Sequence, residues 1–512
     1  MKNQTDYQLS PTILALAALA AISVSTPAKD PLLDSWFTQH SGKYARLYAT
    51  TSDLSSGNAK TTWSRGAVNQ SLPAYSGVQE IYSSADWIYI RTSGLGSHVM
   101  GPWYLNAAKT QLFPNLPRNK KALYRIPRRP VVATTKTLTG LGVIGYFVDG
   151  VAMFDGQDGF SWNGSSESGG MGGGGIWNRD AYVNEGITFD PANAHQEQSG
   201  TYHYHANPIA LRHLLGDHVD YDVATKVYRE NPSNLHHSPI LGWVRDGFPI
   251  YGPYGYSDPK NPASGVRRMI SGFVLRNGAN GTLNLAANGR TTLPAWAARA
   301  QNRSTALTAS QYGPAVSTQY SLGRYLQDND YLGDLGKVQG VDFDLDEYNG
   351  RFTVTPEFPN GSYAYFVSIN ANGTPVFPYN IGRSFCGTPT GSAVQNISET
   401  VTTNFVGGAN STLRMATPAA ASYSSDVTIT WSAVEGGAYV VRASSDLANW
   451  TQIAGPITAS GASAQASIAR NQSEIRFFHV NRTALANYDG APANANVAQN
   501  ASASSDSSTT TR

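Results

Sequence analysis

The sequence predicts a mainly β protein: a large β-rich domain built from hairpins with short helices, followed by a small C-terminal β-sandwich. Three observations predict this. Gly (50) and Tyr (28) are abundant among the 512 residues and only 14% are charged, a composition of short strands and turns. Asp-Gly or Asn-Gly recurs between apolar runs in "IGYFVDGVAMFD" (144–155), "LGWVRDGFPIYG" (241–252) and "FVSINANGTPVFPY" (366–379). Each is a hairpin signal of the type I′ kind. Near residue 415 the text changes to alternating strands such as "DVTITWSAVEGGAYVVRASSDLANWTQIA".

Taken in order, Lys2, a polar stretch, the run "TILALAALAAISV" and then "STPAKD" predict a signal peptide over 1–28. The run is too short for a confident membrane span; a retained N-terminal anchor is the alternative. The large domain is expected over 36–395, with core motifs at 140–260 and 340–390. Within it "DWIYIRTSG" (86–94) reads as a strand. The basic "LPRNKKALYRIPRRP" (116–130) reads as a solvated connector, or as a patch for polyanions. "GSSESGGMGGGG" (164–175) lacks the Lys-Ser/Thr of a phosphate loop and reads as a plain loop. "NPIALRHLLG" is a short helix with Asn207 as N-cap, Pro208 at N1 and Gly216 past its end. Residues 261–335 mix helical and irregular text. A sandwich of the fibronectin type III-like kind is expected over 415–482, and the Ala/Asn/Ser/Thr-rich tail over 487–512 is expected to be disordered.

The net charge of +2 gives no global field for nucleic acid. A single cysteine, Cys386, rules out an intrachain disulfide and favours a bacterial envelope or secreted protein that folds without one. Asp342, Asp344 and Asp346 alternate, but Glu347 and Thr353 stand where an EF-hand needs Gly and Glu.

Histidine carries the strongest chemical signal. Seven of the ten lie between 195 and 237. In "TYHYHANP" the alternation puts His203 and His205 on one strand face and Tyr202 and Tyr204 on the other. Two imidazoles at i and i+2 suit one metal ion. His236 or His237 is the expected third ligand, with His195 or Asp246 as further candidates. Imidazoles with nearby tyrosines and no thiol suit a divalent transition metal, copper or zinc. Ordinary packing of the histidines is the alternative, and Asp149 and Asp246 are also plain turn residues.

"TYHYHANP", "HHSPILGWVRDGFPIYGPYGY", "LDEYNGRFTVTPEFPNGSYAYF" and "FPYNIGRSFCG" resemble the YHYH domain family of mostly bacterial secreted proteins, over roughly residues 36–390. The resemblance implies a shared β-rich domain and export. It implies no settled activity and assigns no metal ligand. An aromatic residue is usual where this chain has Cys386, which implies an idle thiol. Three functions follow as expectations: a secreted metal-binding protein that extends to a metal-dependent enzyme, a module that binds extracellular glycans or a cell surface, and a structural envelope protein with packed histidines.

Overall fold

The computed structural model describes residues 30–169, 174–416, 426–469 and 477–490. The expected signal peptide, 1–28, lies outside them, as does the expected tail from 491 onward. The fold is mainly β, as the composition predicts.

Its centre is an eight-stranded mixed sheet. In chain order the strands are β1 (Val143–Phe147), β2 (Ala152–Phe154), β3 (Ala194–Gln196), β4 (Tyr202–Tyr204), β5 (Ile240–Val244), β6 (Pro249–Tyr251), β7 (Gly350–Thr353) and β8 (Ser362–Phe366). In space the order is β3-β4-β2-β1-β5-β6-β8-β7. The pairs β4·β2 and β6·β8 are parallel and the rest antiparallel. β5 and β6 are buried at every position, which is why they read as continuous apolar runs.

The sheet is two copies of one unit, related by a pseudo-twofold between β1 and β5. Each copy is an Asp-Gly hairpin whose second strand pairs in parallel with the last strand of a second hairpin. At the junction, β1 residue Gly145 faces Val244 and β5 residue Gly242 faces Phe147. A Cβ on Gly145 would lie 2.5 Å from the Trp243 carbonyl oxygen, and one on Gly242 would lie 2.7 Å from that of Tyr146. Glycine at both positions lets the two halves approach. The outer hairpins match in detail. Asp190 Oδ1 accepts from the amides of Ala192 and Ala194, and Asp346 Oδ1 from those of Tyr348 and Gly350. Asn193 and Asn349 both take positive φ, 70° and 67°. Tyr202 donates to Asp190 at 2.8 Å as Tyr363 donates to Asp346 at 2.9 Å. Register therefore aligns Tyr202-His203-Tyr204-His205 with Tyr363-Ala364-Tyr365-Phe366, and His195 with Arg351.

The Asp-Gly turns differ from the expected type I′. Only the glycines, Gly150 and Gly247, have positive φ. Gly150 N donates to Phe147 O and Gly247 N to Val244 O, both at 2.8 Å. This is a type I turn closed by a left-handed glycine. The Asp carboxylates hold it by accepting from Val151 N and Phe248 N. Asn370–Gly373 repeats the pattern.

Beside this sheet lies an antiparallel five-stranded one, ordered Ser392–Ala393, Ala122–Pro127, Trp87–Thr92, Val78–Ser83, Thr402–Val406. Ala122–Pro127 is a strand with Leu123, Tyr124 and Ile126 buried, so the basic 116–130 stretch is more than a connector. A second core gathers Trp177, Phe273, Trp296, Tyr325 and Phe377 around the helix Ala295–Ala300. The short helix after β4 starts at Ile209, with Pro208 in place of Asn207 at its cap, because the Asn207 carboxamide oxygen accepts from buried Arg212.

Near the C-terminus two small sheets enclose one core: Val427–Ser432 with Ser463–Ile468, and Thr451–Thr458, Ala438–Ser444 and Phe477–Ala484. This unit docks on the large domain through Glu435, which accepts from Tyr44 N and pairs with Arg46. Asp489, at a position assigned by composition to the tail, ion-pairs with Lys121 at 2.5 Å and donates its amide to Pro73 O.

Candidate metal centre

The hairpin β3–β4 builds the site. His195 lies directly opposite His203, and His205 follows two residues later on the same face. All three rings are buried, and one ring nitrogen from each lies within 4.8 Å of the others. The Nε2 atoms of His203 and His205 are 3.0 Å apart. A carboxylate completes the group. Glu185 ends the helix Ala181–Glu185, whose N-cap Asp180 accepts from Val183 N. Its Oε2 lies 3.4 Å from His205 Nε2 and 3.6 Å from His195 Nε2. Four N/O ligands about 2.0–2.1 Å from a zinc ion are spaced by roughly 3.3 Å; the separations of 3.0, 3.4 and 3.6 Å match that spacing, while the widest imidazole pair, at 4.8 Å, must close by more than an ångström to share one ion.

The outer ring nitrogens set the tautomers. His203 Nδ1 faces Thr201 O at 2.9 Å and His205 Nδ1 faces Asp155 O at 2.6 Å. A carbonyl only accepts, so both Nδ1 atoms carry the proton. Thr188 Oγ1 spends its hydrogen on Glu185 O at 2.7 Å and meets His195 Nδ1 at 2.7 Å, so His195 also donates from Nδ1. Burial depresses the His203 pKa to about 3 and that of His205 to about 4, and holds His195 well below 6.5. Neutral rings protonated at Nδ1 leave three bare Nε2 lone pairs turned inward. Two of them meet at hydrogen-bond distance with no hydrogen between them, an arrangement that a bound cation relieves. Burial also raises Glu185 to about 8, the opposite of what a cation beside it would do.

Aromatic rings wall the group. Phe154 stacks on His203 with centroids 3.8 Å apart, and Phe189 lies parallel to His205 at 6.0 Å. On the opposite strand face, Tyr202 and Tyr204 are fully buried. Tyr202 bonds His98 at 3.0 Å as well as Asp190, so His98 is a packing residue there.

The other candidates lie elsewhere. His236 is exposed and packs against His218 at 4.1 Å. His237 is buried against Tyr251 and Phe366, the second-half counterparts of Phe154 and His205, so it belongs to the other copy of the unit. Its Nδ1 meets Ser238 O at 2.8 Å. Asp246 closes the β5–β6 turn, four strands from β4, where it accepts from Tyr365 at 2.6 Å and from Gly387 N. Burial raises the Cys386 thiol to about 12, which leaves it unreactive.

The second copy supplies a built-in control. At the positions of His195, His203 and His205 it has Arg351, Ala364 and Phe366, with the Arg351 guanidinium 5.5 Å above the Phe366 ring.

The family model described as YHYH protein matches residues 123–377. This segment is similar to the YHYH family. The YHYH match spans both halves of the sheet and all four residues of the histidine–carboxylate group. It stops before residues 415–482, so the fibronectin type III-like reading there rests on sequence pattern alone. No curated protein and no solved structure matches the chain. No helix of the described residues is long and apolar enough to cross a membrane.

Proposed function

We propose that this YHYH protein binds one divalent transition metal ion through Nε2 of His195, His203 and His205, with Glu185 as the fourth ligand. One observation carries the reading: each Nδ1 is committed to a fixed outer acceptor, which leaves three bare Nε2 lone pairs in one buried group. That outer shell is what metal-ligating imidazoles require. Four protein ligands make a closed set, which favours a structural ion over a catalytic one. Such an ion ties the helix Ala181–Glu185 to the edge hairpin of the central sheet. Zinc fits the donor set and its tetrahedral spacing; copper is the competitor, told apart by its visible and paramagnetic spectra. Export is part of the proposal and rests on the apolar N-terminal run and the resemblance to secreted proteins.

The test is thermal unfolding of untagged protein after chelation, with and without added Zn²⁺ or Cu²⁺. A bound ion at 100 times its Kd adds about 2.7 kcal/mol, a shift of several degrees in Tm. His203→Ala should abolish that shift. Equal melting temperatures with and without either metal would defeat the reading.

A further inference from the structure

We propose that a second site, separate from the histidine group, binds an acidic sugar. A cleft of about 540 Å³ opens between the loop residues 135–136, 347–348 and 383–384 and the lobe built on the helix Ala295–Ala300, and its walls include Lys136, Trp296, Arg299, Tyr348 and Arg383. Its size and its place between two packed units are those of small-molecule sites. Three cations line it against one carboxylate, Glu347.

The ion pairs decide which charges remain. Arg299 is spent on Asp334 and Glu347. Arg383 gives Nη1 to Asp155 Oδ2 and Thr139 Oγ1, both at 2.9 Å, while its Nε and Nη2 meet no acceptor among the described residues. Lys136 has no carboxylate partner among them. Its Nζ donates to Cys386 O at 2.6 Å and lies 4.6 Å over the Tyr348 ring. Lys136 is thus the one lining cation without a carboxylate partner among the described residues, and the N–H groups that Arg383 leaves over after Asp155 lie in the same cleft; a planar carboxylate is the group that takes both. The rest of the lining narrows the class. The Tyr348 ring offers flat apolar surface, buried Trp296 backs the wall, and Thr135, Ser384 and Asn302 add hydroxyl and amide groups. A flat ring beside hydrogen-bonding groups suits a polyhydroxylated ring, and with the carboxylate this makes the ligand class a uronate-type saccharide. One residue stands between the cleft and the histidine group: Arg383 holds Asp155, whose carbonyl fixes His205 Nδ1.

Isothermal titration of the full chain with trigalacturonate, neutral maltotriose and acetate tests this, with and without chelator. Trigalacturonate should bind at least ~10-fold more tightly than either control, the worth of one charge-assisted hydrogen bond. Binding should survive chelation, which separates this site from the metal reading. Lys136→Gln and Tyr348→Leu should each weaken it ~10-fold with the melting temperature unchanged. If one variant fails to fold, the other decides. No heat with trigalacturonate at millimolar concentration, an equal affinity for acetate or maltotriose, or full affinity in the folded variants would overturn the proposal.

Discussion

The two halves of the central sheet share a backbone and differ in chemistry. The first carries Tyr202-His203-Tyr204-His205, the second Tyr363-Ala364-Tyr365-Phe366, at matched register. The tyrosines are common to both, and in both halves one of them donates to the aspartate that starts its hairpin. The inward face differs: three imidazoles in one half, an arginine over a phenyl ring in the other. The tyrosine face is common to both copies, and the histidine face belongs to one. Ala364 and Phe366 show that the shared backbone takes other side chains at those positions.

The comparison breaks or sharpens at graded cost. The largest effect is expected from the ligands. His195→Ala, His203→Ala or His205→Ala should weaken metal binding beyond ~100-fold, more than loss of an outer partner costs, while Phe366→Leu in the other half should leave it unchanged. Elemental analysis of dialysed protein reads both. Next comes Thr188→Val, which removes the oxygen that fixes the His195 tautomer. It should cost roughly 10–100-fold in affinity by competition titration, with the other two histidines still bound.

The third effect is on pH dependence of the metal-free protein. His203 and His205 protonate near pH 6.5 in the unfolded chain but only near pH 3 and 4 when folded. The stability they contribute is complete above pH 6.5 and is lost as the pH falls towards 4. Between about pH 8 and pH 5 each should remove about 2 kcal/mol. His205→Phe should flatten the profile of urea midpoints by that amount; an unchanged profile would remove the buried neutral imidazole from the account. The smallest effect separates two equivalent tyrosines. Tyr365 donates to Asp246 at 2.6 Å, whereas the hydroxyl of Tyr204 has no partner among the described residues. Tyr365→Phe should cost about 1–2 kcal/mol and Tyr204→Phe close to nothing, by denaturant unfolding.

Much of this was legible in the chain. Alternation in "TYHYH" placed two imidazoles on one face, and the shared Asp-Gly pattern showed related hairpins. What was not legible came from register and tertiary approach. His195 and His203 face each other because the five residues from Glu197 to Thr201 reverse the chain between them, a pairing that spacing suggests only once both strands are known. Adjacency in sequence made His236 and His237 look like the third ligand, yet one is exposed and the other serves the second half. Glu185 gave no signal at all. It ends a five-residue helix ten positions before His195, and only the fold brings its carboxylate to the rings. The Asp-Gly turns were located correctly but assigned to the wrong type, because aspartate next to glycine fits both geometries.

The central claim is that one half of the duplicated sheet holds a metal ion and the other does not. Metal stoichiometry of the untagged chain, purified without chelator and then equilibrated with Zn²⁺ or Cu²⁺ and dialysed, tests it most directly. The account predicts one ion per chain in the parent, and none once His203 and His205 are both replaced by alanine. No retained ion in the parent, or an ion that survives the double replacement, would contradict it.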